Sequence, residues 1–86
     1  MVNKEVVVVS ETGLHARPAT LLVKKASGFK CDVTLEYNGK KANAKSLIGV
    51  LSLGVTKGAS VNVITNGEDE VLALEELATA IESITE

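Results

Sequence analysis

The apolar positions of this chain switch between a two-residue and a helical period, and the switches mark out its elements. Residues 2–9 end in the run Val6-Val7-Val8-Val9. Such a β-branched run predicts a strand, and valines on both of its faces suggest an interior place in a sheet. Between Ala16 and Ser27, the residues Ala19, Leu22, Val23 and Ala26 recur at helical spacing. That leaves Arg17, Thr20, Leu21, Lys24 and Lys25 toward solvent, with Gly28 expected to stop the helix. Cys31, Val33, Leu35 and Tyr37 then alternate with Asp32, Thr34 and Glu36, as in a strand with one buried face. Asn38-Gly39 is a hairpin signal, so residues 40–44 return as a third strand.

Ser46 precedes Leu47, Ile48, Val50 and Leu51 and reads as the N-cap of a short helix closed by Gly54. Four apolar residues on so short a helix cannot all face inward, so some exposure is expected. Beyond a turn at Gly58, the alternation of Val61, Val63 and Thr65 with Ser60, Asn62 and Ile64 predicts a fourth strand. Glu68, Asp69 and Glu70 then sit where a helix start favours negative charge. The last helix runs to about Ser83, with Val71, Leu74, Leu77, Ala78, Ile81 and Ile84 as its expected buried stripe. Its acidic outer face is read as solvated surface.

The order is therefore β-α-β-β-α-β-α, an α+β chain whose antiparallel sheet is covered by helices on one side. Its 86 residues are read as one domain, 1–86. A chain of this size buries only about 60–65% of its surface, which favours a site on the surface over a deep pocket.

Composition narrows the functional classes. A single cysteine, Cys31, reads as a small buried residue rather than a reactive thiolate, and with no internal disulfide a reducing compartment is expected. The first apolar run is short and follows Lys4 and Glu5, which fits neither a signal peptide nor a membrane span. A cytoplasmic, non-inserted protein is expected. The net charge of −2 is divided unevenly: residues 1–57 hold nine basic and four acidic residues (+5), and residues 58–86 hold seven acids and no Lys or Arg (−7). The basic part points to an acidic partner surface met in short-lived encounters, and thus to a monomer. Direct nucleic-acid binding is disfavoured by one Arg, one Tyr, one Phe and no long basic run.

Candidate chemistry gathers at Gly13-Leu14-His15-Ala16-Arg17-Pro18-Ala19, which places the only histidine and the only arginine two residues apart at a strand-to-helix junction. Amides in the first turn of a helix lack partners within the helix, and its dipole adds positive potential, so an anion is stabilised there. With His15 as N-cap, Ala16 and Arg17 supply N–H groups, while Pro18 gives up a donor the helix does not use. Gly13 can turn the chain from strand to helix. The positive helix end also favours a neutral, nucleophilic imidazole, and the Arg17 guanidinium can clamp phosphate oxygens. Phosphoryl transfer through His15 fits these groups; an isolated histidine at a helix start is more often a cap or surface residue, and it is Arg17 and the surrounding motif that shift the balance.

Other motifs fail on particular residues. Gly49 to Gly54 has the glycine spacing of a P-loop, but Val55 stands where its lysine belongs. Ser52-Leu53-Gly54 lacks the first glycine of a nucleophile elbow, because Val50 occupies that position. One His and one Cys cannot build the usual zinc site, and no calcium-loop spacing is present. A pocket enzyme is therefore not expected, nor a metal or other cofactor.

The segments Gly13–Ala19 (GLHARPA) and Lys45–Val55 (KSLIGVLSLGV) together resemble HPr, the histidine-containing phosphocarrier family of the bacterial phosphoenolpyruvate-dependent sugar phosphotransferase system. The resemblance spans the chain without insertion. It implies an open-faced two-layer sandwich with strand order 1-4-2-3 and three helices on one face. It also implies that His15 takes a phosphoryl group, on Nδ1, from enzyme I and passes it to IIA domains of sugar permeases. Arg17 and the Ala16–Pro18 turn would hold the phosphate, with Thr20, Lys24, Leu47, Ile48 and Leu51 as docking face. Gly49–Leu53 looks like the low-GC Gram-positive branch, so Ser46 would be the target of HPr kinase/phosphorylase and link the protein to carbon catabolite control and a catabolite-control transcription factor. An alternative is a regulatory binding module of the same fold, in which Ser46 is the switch and His15 is incidental. The complete histidine motif argues against that as the sole role.

Overall fold

The computed structural model describes residues 1–11, 13–14 and 16–83. The elements are β1 (Val2–Val7), α1 (Ala16–Ala26), β2 (Asp32–Tyr37), β3 (Lys40–Asn43), α2 (Leu47–Ser52), β4 (Ser60–Asn66) and α3 (Glu70–Ser83). They follow the β-α-β-β-α-β-α order, and the four antiparallel strands lie in the order β1-β4-β2-β3. Val6 pairs with Val61, Leu35 with Val63, and Val33 with Thr65. These residues are buried and share one face of the sheet. Helices α1, α2 and α3 cover that face, with α1 packed against both α2 and α3, so Leu22, Leu35, Leu77 and Ile81 are fully enclosed. The opposite face stays open and polar, with Asn3 Nδ2 donating to Asn62 Oδ1 at 3.1 Å.

The valine run does not place β1 inside the sheet, because β1 is an edge strand. Val6 and Val8 are enclosed, but Val7 and Val9 are 48% and 40% exposed. The run reflects β propensity rather than burial on both faces. On this edge Lys4 shares a face with the buried Val63, and the other edge, β3, carries Lys40 and Lys41. Charges so placed discourage pairing with further strands.

At the hairpin, Asn38 and Gly39 both have positive φ, 53° and 80°, as a two-residue turn that follows strand twist requires. Helix α1 ends at Ala26 without a left-handed glycine: Gly28 keeps negative φ, and the chain leaves through bonds from Ser27 to Val23 and from Gly28 to Lys25. On α3 the enclosed residues are Ala73, Leu77, Ala78 and Ile81. Leu74 is partly buried, whereas Val71 is 59% exposed, contrary to its place in the expected stripe. The enclosed stripe of α3 runs through the small Ala73 where the helix packs on β1 and β4, and Val71 and Leu72 lie on its exposed side. Ile84 lies outside the described residues.

One acid joins the two ends of the fold. The Asp69 carboxylate accepts the Lys30 and Cys31 amides, each at 2.9 Å, and so ties the entry to β2 onto the start of α3. The Lys30 amide foremost, with the Cys31 thiol and amide, holds the Asp69 carboxyl below its usual range, partly opposed by desolvation. Glu70 is held down by the Gly67 amide and by the amino group of Met1. Burial foremost, with Asp69 beside it, pushes the Cys31 thiol up, which suits an inert packed side chain.

These depressed carboxyl groups set the sign of an acid response. Their contribution is present above the unfolded pKa of about 4 and is lost as pH falls through the lower folded values. Thermal melts at pH 7 and pH 3 should show a smaller pH-dependent drop in Tm for Asp69→Asn than for the unmodified chain; equal drops would remove Asp69 from the acid response. In the core, Leu77→Ala should cost roughly 2–5 kcal/mol in urea denaturation.

Candidate functional site

The start of α1 is held against the segment that follows α2. Gly13 has φ +67°, and a Cβ added there would lie 2.2 Å from the Val55 carbonyl oxygen and 2.8 Å from Thr56 Cα. Only a residue without a side chain permits this approach. The next amide, Leu14 N–H, donates to the same Val55 carbonyl at 3.1 Å, and Gly13 N–H donates to the Ser10 carbonyl at 3.0 Å. Leu14 and Val55 are each 3% exposed, so the two segments are joined by side chains as well as backbone.

His15 lies outside the described residues, and its expected N-cap role is a reading of the sequence. Its neighbours are well placed for that reading. Ala16 and Arg17 open α1, Pro18 is its third residue, and Pro18 and Ala19 are buried while Ala16 and Arg17 are exposed. The first-turn amides of α1 therefore start at the surface, where an anion can reach them. Beside them is a depression of about 360 Å³ lined by Leu14, Ala16, Leu51, Gly54, Val55 and Thr56. A second depression, about 440 Å³, lies along β2 and β3 and contains none of the expected site residues.

The residues expected to form a docking face divide between two packed helices. Thr20 and Lys24 are exposed on α1, with Thr20 Oγ1 donating back to the Ala16 carbonyl at 2.6 Å. On α2, Val50 alone is fully enclosed, while Leu47, Ile48 and Leu51 are 38%, 81% and 39% exposed. Leu21 on α1 adds a further apolar surface at 52% exposure. Because α1 and α2 pack together and Leu51 shares a depression with Ala16, the apolar patch adjoins the candidate anion site.

Ser46 is the N-cap of α2: it has extended backbone angles, and its Oγ accepts the Gly49 amide at 3.2 Å. It is exposed and flanks Leu47 and Ile48. The six-residue α2 is only about 9 Å long, so Ser46 and the Leu51 end of the patch are separated by less than two turns. The Val55 carbonyl and Thr56 are the site elements that sequence reasoning missed. A backbone carbonyl leaves no residue-type signal, and Gly13 was the sole pointer to a close approach.

The comparisons with known proteins agree with this geometry. A family model described as "PTS HPr component phosphorylation site" matches residues 2–83. The chain is similar to HPr-C-His of Thermoanaerobacter tengcongensis, at 43% identity and TM-score 0.93 over 96% of this chain and 93% of that one. It is similar to the phosphocarrier protein HPr of Bacillus anthracis, at 42% identity and TM-score 0.90 over 93% and 95% of the two chains. It also resembles the Bacillus subtilis catabolite repression protein Crh, whose crystal structure is a swapped, intertwined dimer. There the identity is 49% and the TM-score 0.79, over 100% of this chain and 99% of Crh.

Two substitutions separate cap from surface. Ser46→Ala should lower stability by about 1 kcal/mol through the lost cap. Ile48→Ala should change it by less than about 0.5 kcal/mol, since the side chain is exposed. Urea denaturation of the pair checks both, and a large loss for Ile48→Ala would show that it is core rather than free surface.

Proposed function

This chain belongs to the HPr family of phosphocarrier proteins of the phosphotransferase system, and on that footing we propose that His15 is its phosphoryl-bearing residue. A phosphocarrier of this family is not itself a catalyst. In the proposed transfer, a neutral imidazole nitrogen of His15 attacks the phosphorus of phosphorylated enzyme I. The N–P bond forms as the donor's bond to phosphorus breaks; in the second step a nucleophile of a IIA domain of a sugar permease attacks the phosphorus, and the N–P bond breaks with the His15 nitrogen as leaving group. The observation that carries this reading is the surface-exposed start of α1 beside Arg17, held in place by the Gly13–Val55 contact. The Ala16 and Arg17 turn and the Arg17 guanidinium then share the phosphoryl charge.

Docking is assigned to the apolar α2 patch, Leu47, Ile48 and Leu51, together with Thr20 and Lys24. Exposed aliphatic side chains next to cations suit a partner with an apolar centre and an acidic rim. Ser46 gives the patch a switch. A phosphate on its Oγ is compatible with a helix N-cap but sets a dianion against Leu47 and Ile48, where desolvation penalises docking. An HPr kinase/phosphorylase and a catabolite-control transcription factor are the corresponding partners, and the 49% identity to Crh supports this regulatory role alongside the carrier role. No helix among the described residues is long and apolar enough to cross a membrane. A monomer in the cytoplasm suits a relay between changing partners, while Crh and an HPr of Thermoanaerobacter tengcongensis form dimers, so sedimentation at assay concentration is the check, with a dimer mass counting against the monomer.

The test is phosphoryl transfer from enzyme I charged with labelled phosphoenolpyruvate. His15→Ala should abolish labelling while leaving the fold intact, and retained labelling would end the His15 assignment. Arg17→Ala should slow transfer by roughly tenfold or more, as loss of a charge-stabilising group does. Ser46→Asp should weaken binding to enzyme I; unchanged binding would leave Ser46 as a cap alone.

A further inference from the structure

The contact between the Gly13–Leu14 backbone and Val55 is closer than a turn requires. A turn with φ near +67° needs only a residue that tolerates the left-handed region, for which an asparagine can serve. Position 13 is more restricted, because any Cβ there would run into the Val55 carbonyl and Thr56 Cα. The approach adds little apolar burial, since glycine has no side chain. Its structural result is that one carbonyl, Val55 C=O, receives the Leu14 amide one residue before position 15. On the far side, Ala16 enters a helix whose Pro18 and Ala19 are buried, and the Ala16 carbonyl is bonded by Thr20. The chain therefore enters and leaves position 15 through residues whose directions are set by packing.

We infer that Gly13 and the Val55 carbonyl are positioning groups for phosphoryl transfer, fixing the backbone at Leu14 from which the chain reaches the phosphoryl-bearing position. This rests on the assignment of His15 made above. Their proposed action runs through the backbone at Leu14 rather than through contact with the phosphoryl group. Transfer between two proteins depends on in-line alignment of the attacking nitrogen, and a displacement of about 1 Å at the reacting atom can cost on the order of a hundredfold. A surface loop without such an anchor leaves that alignment to each encounter.

The decisive experiment replaces the Leu14 amide by an ester through chemical synthesis of the full chain, which removes the N–H donor and keeps every side chain. A matched ester at Ala44, whose N–H donates to the Val33 carbonyl at 2.9 Å far from the site, measures the general effect of losing one backbone bond. With enzyme I as donor, the Leu14 ester should lower kcat roughly ten- to a hundredfold with KM unchanged. It should also shift the NMR titration of the His15 imidazole, while the Ala44 ester should do neither. Gly13→Ala, which keeps the N–H and presses a methyl onto the Val55 carbonyl, should reproduce the kcat loss. Unaltered kcat and titration in the Leu14 ester, or an equal loss in the Ala44 ester, would overturn the inference. An unmodified protein that takes no label on His15 would instead defeat the carrier assignment, and the imidazole titration would still report whether Leu14 positions the ring.

Discussion

A four-stranded antiparallel sheet with one apolar face must have that face covered, and among the described residues three helices do so. The rest of the structure follows from this constraint. All three helices share one layer, so α1 and α2 must lie against each other, and the loops that begin and end them are brought close. Residues 13–14 meet residues 55–56 because both connect the strand layer to the helix layer at one end of the molecule. A core this small can enclose only Val50 on α2 and leaves the other aliphatic side chains of that helix at the surface.

On the proposed function, chemistry, docking and regulation fall on adjoining pieces of one surface. In that reading the start of α1 would hold the anion, the exposed face of α2 would supply apolar contact, and the cap of α2 would supply a hydroxyl whose modification alters that contact. The separation of roles is physical. The charge-stabilising groups need a helix end and a guanidinium, whereas docking needs area. A short helix whose apolar residues outnumber its buried positions supplies that area without a second domain. The acidic residues of the last third of the chain are spent differently: Asp69 and Glu70 accept backbone amides and brace the start of α3.

Much of this was legible in the sequence because period and punctuation coincide. The two-residue alternation in β2 and β4, the Asn38-Gly39 turn and the Ser46 cap each have a local cause, and each stands in the structure as read. The readings that failed depended on what lies across the interface. The valine run of β1 carries β propensity whether or not a second layer covers it, so its edge position was not encoded locally. The stripe on α3 was misplaced at Val71 because the buried face runs through Ala73, a residue too small to stand out in a hydrophobic pattern. At the candidate site, Arg17, Ser46 and the α2 patch were proposed from residue type, spacing and the family resemblance, while the Val55 carbonyl, as part of the backbone, could emerge only from the fold.

The central claim is that the phosphoryl group resides on His15. The most direct measurement is a phosphorus NMR spectrum of the protein after incubation with phosphoenolpyruvate, magnesium and enzyme I, taken before and after acid treatment. The account predicts one phosphoramidate resonance that acid removes and that is missing in His15→Ala. No resonance beside an active control carrier, or an acid-stable phosphoester in its place, would contradict it.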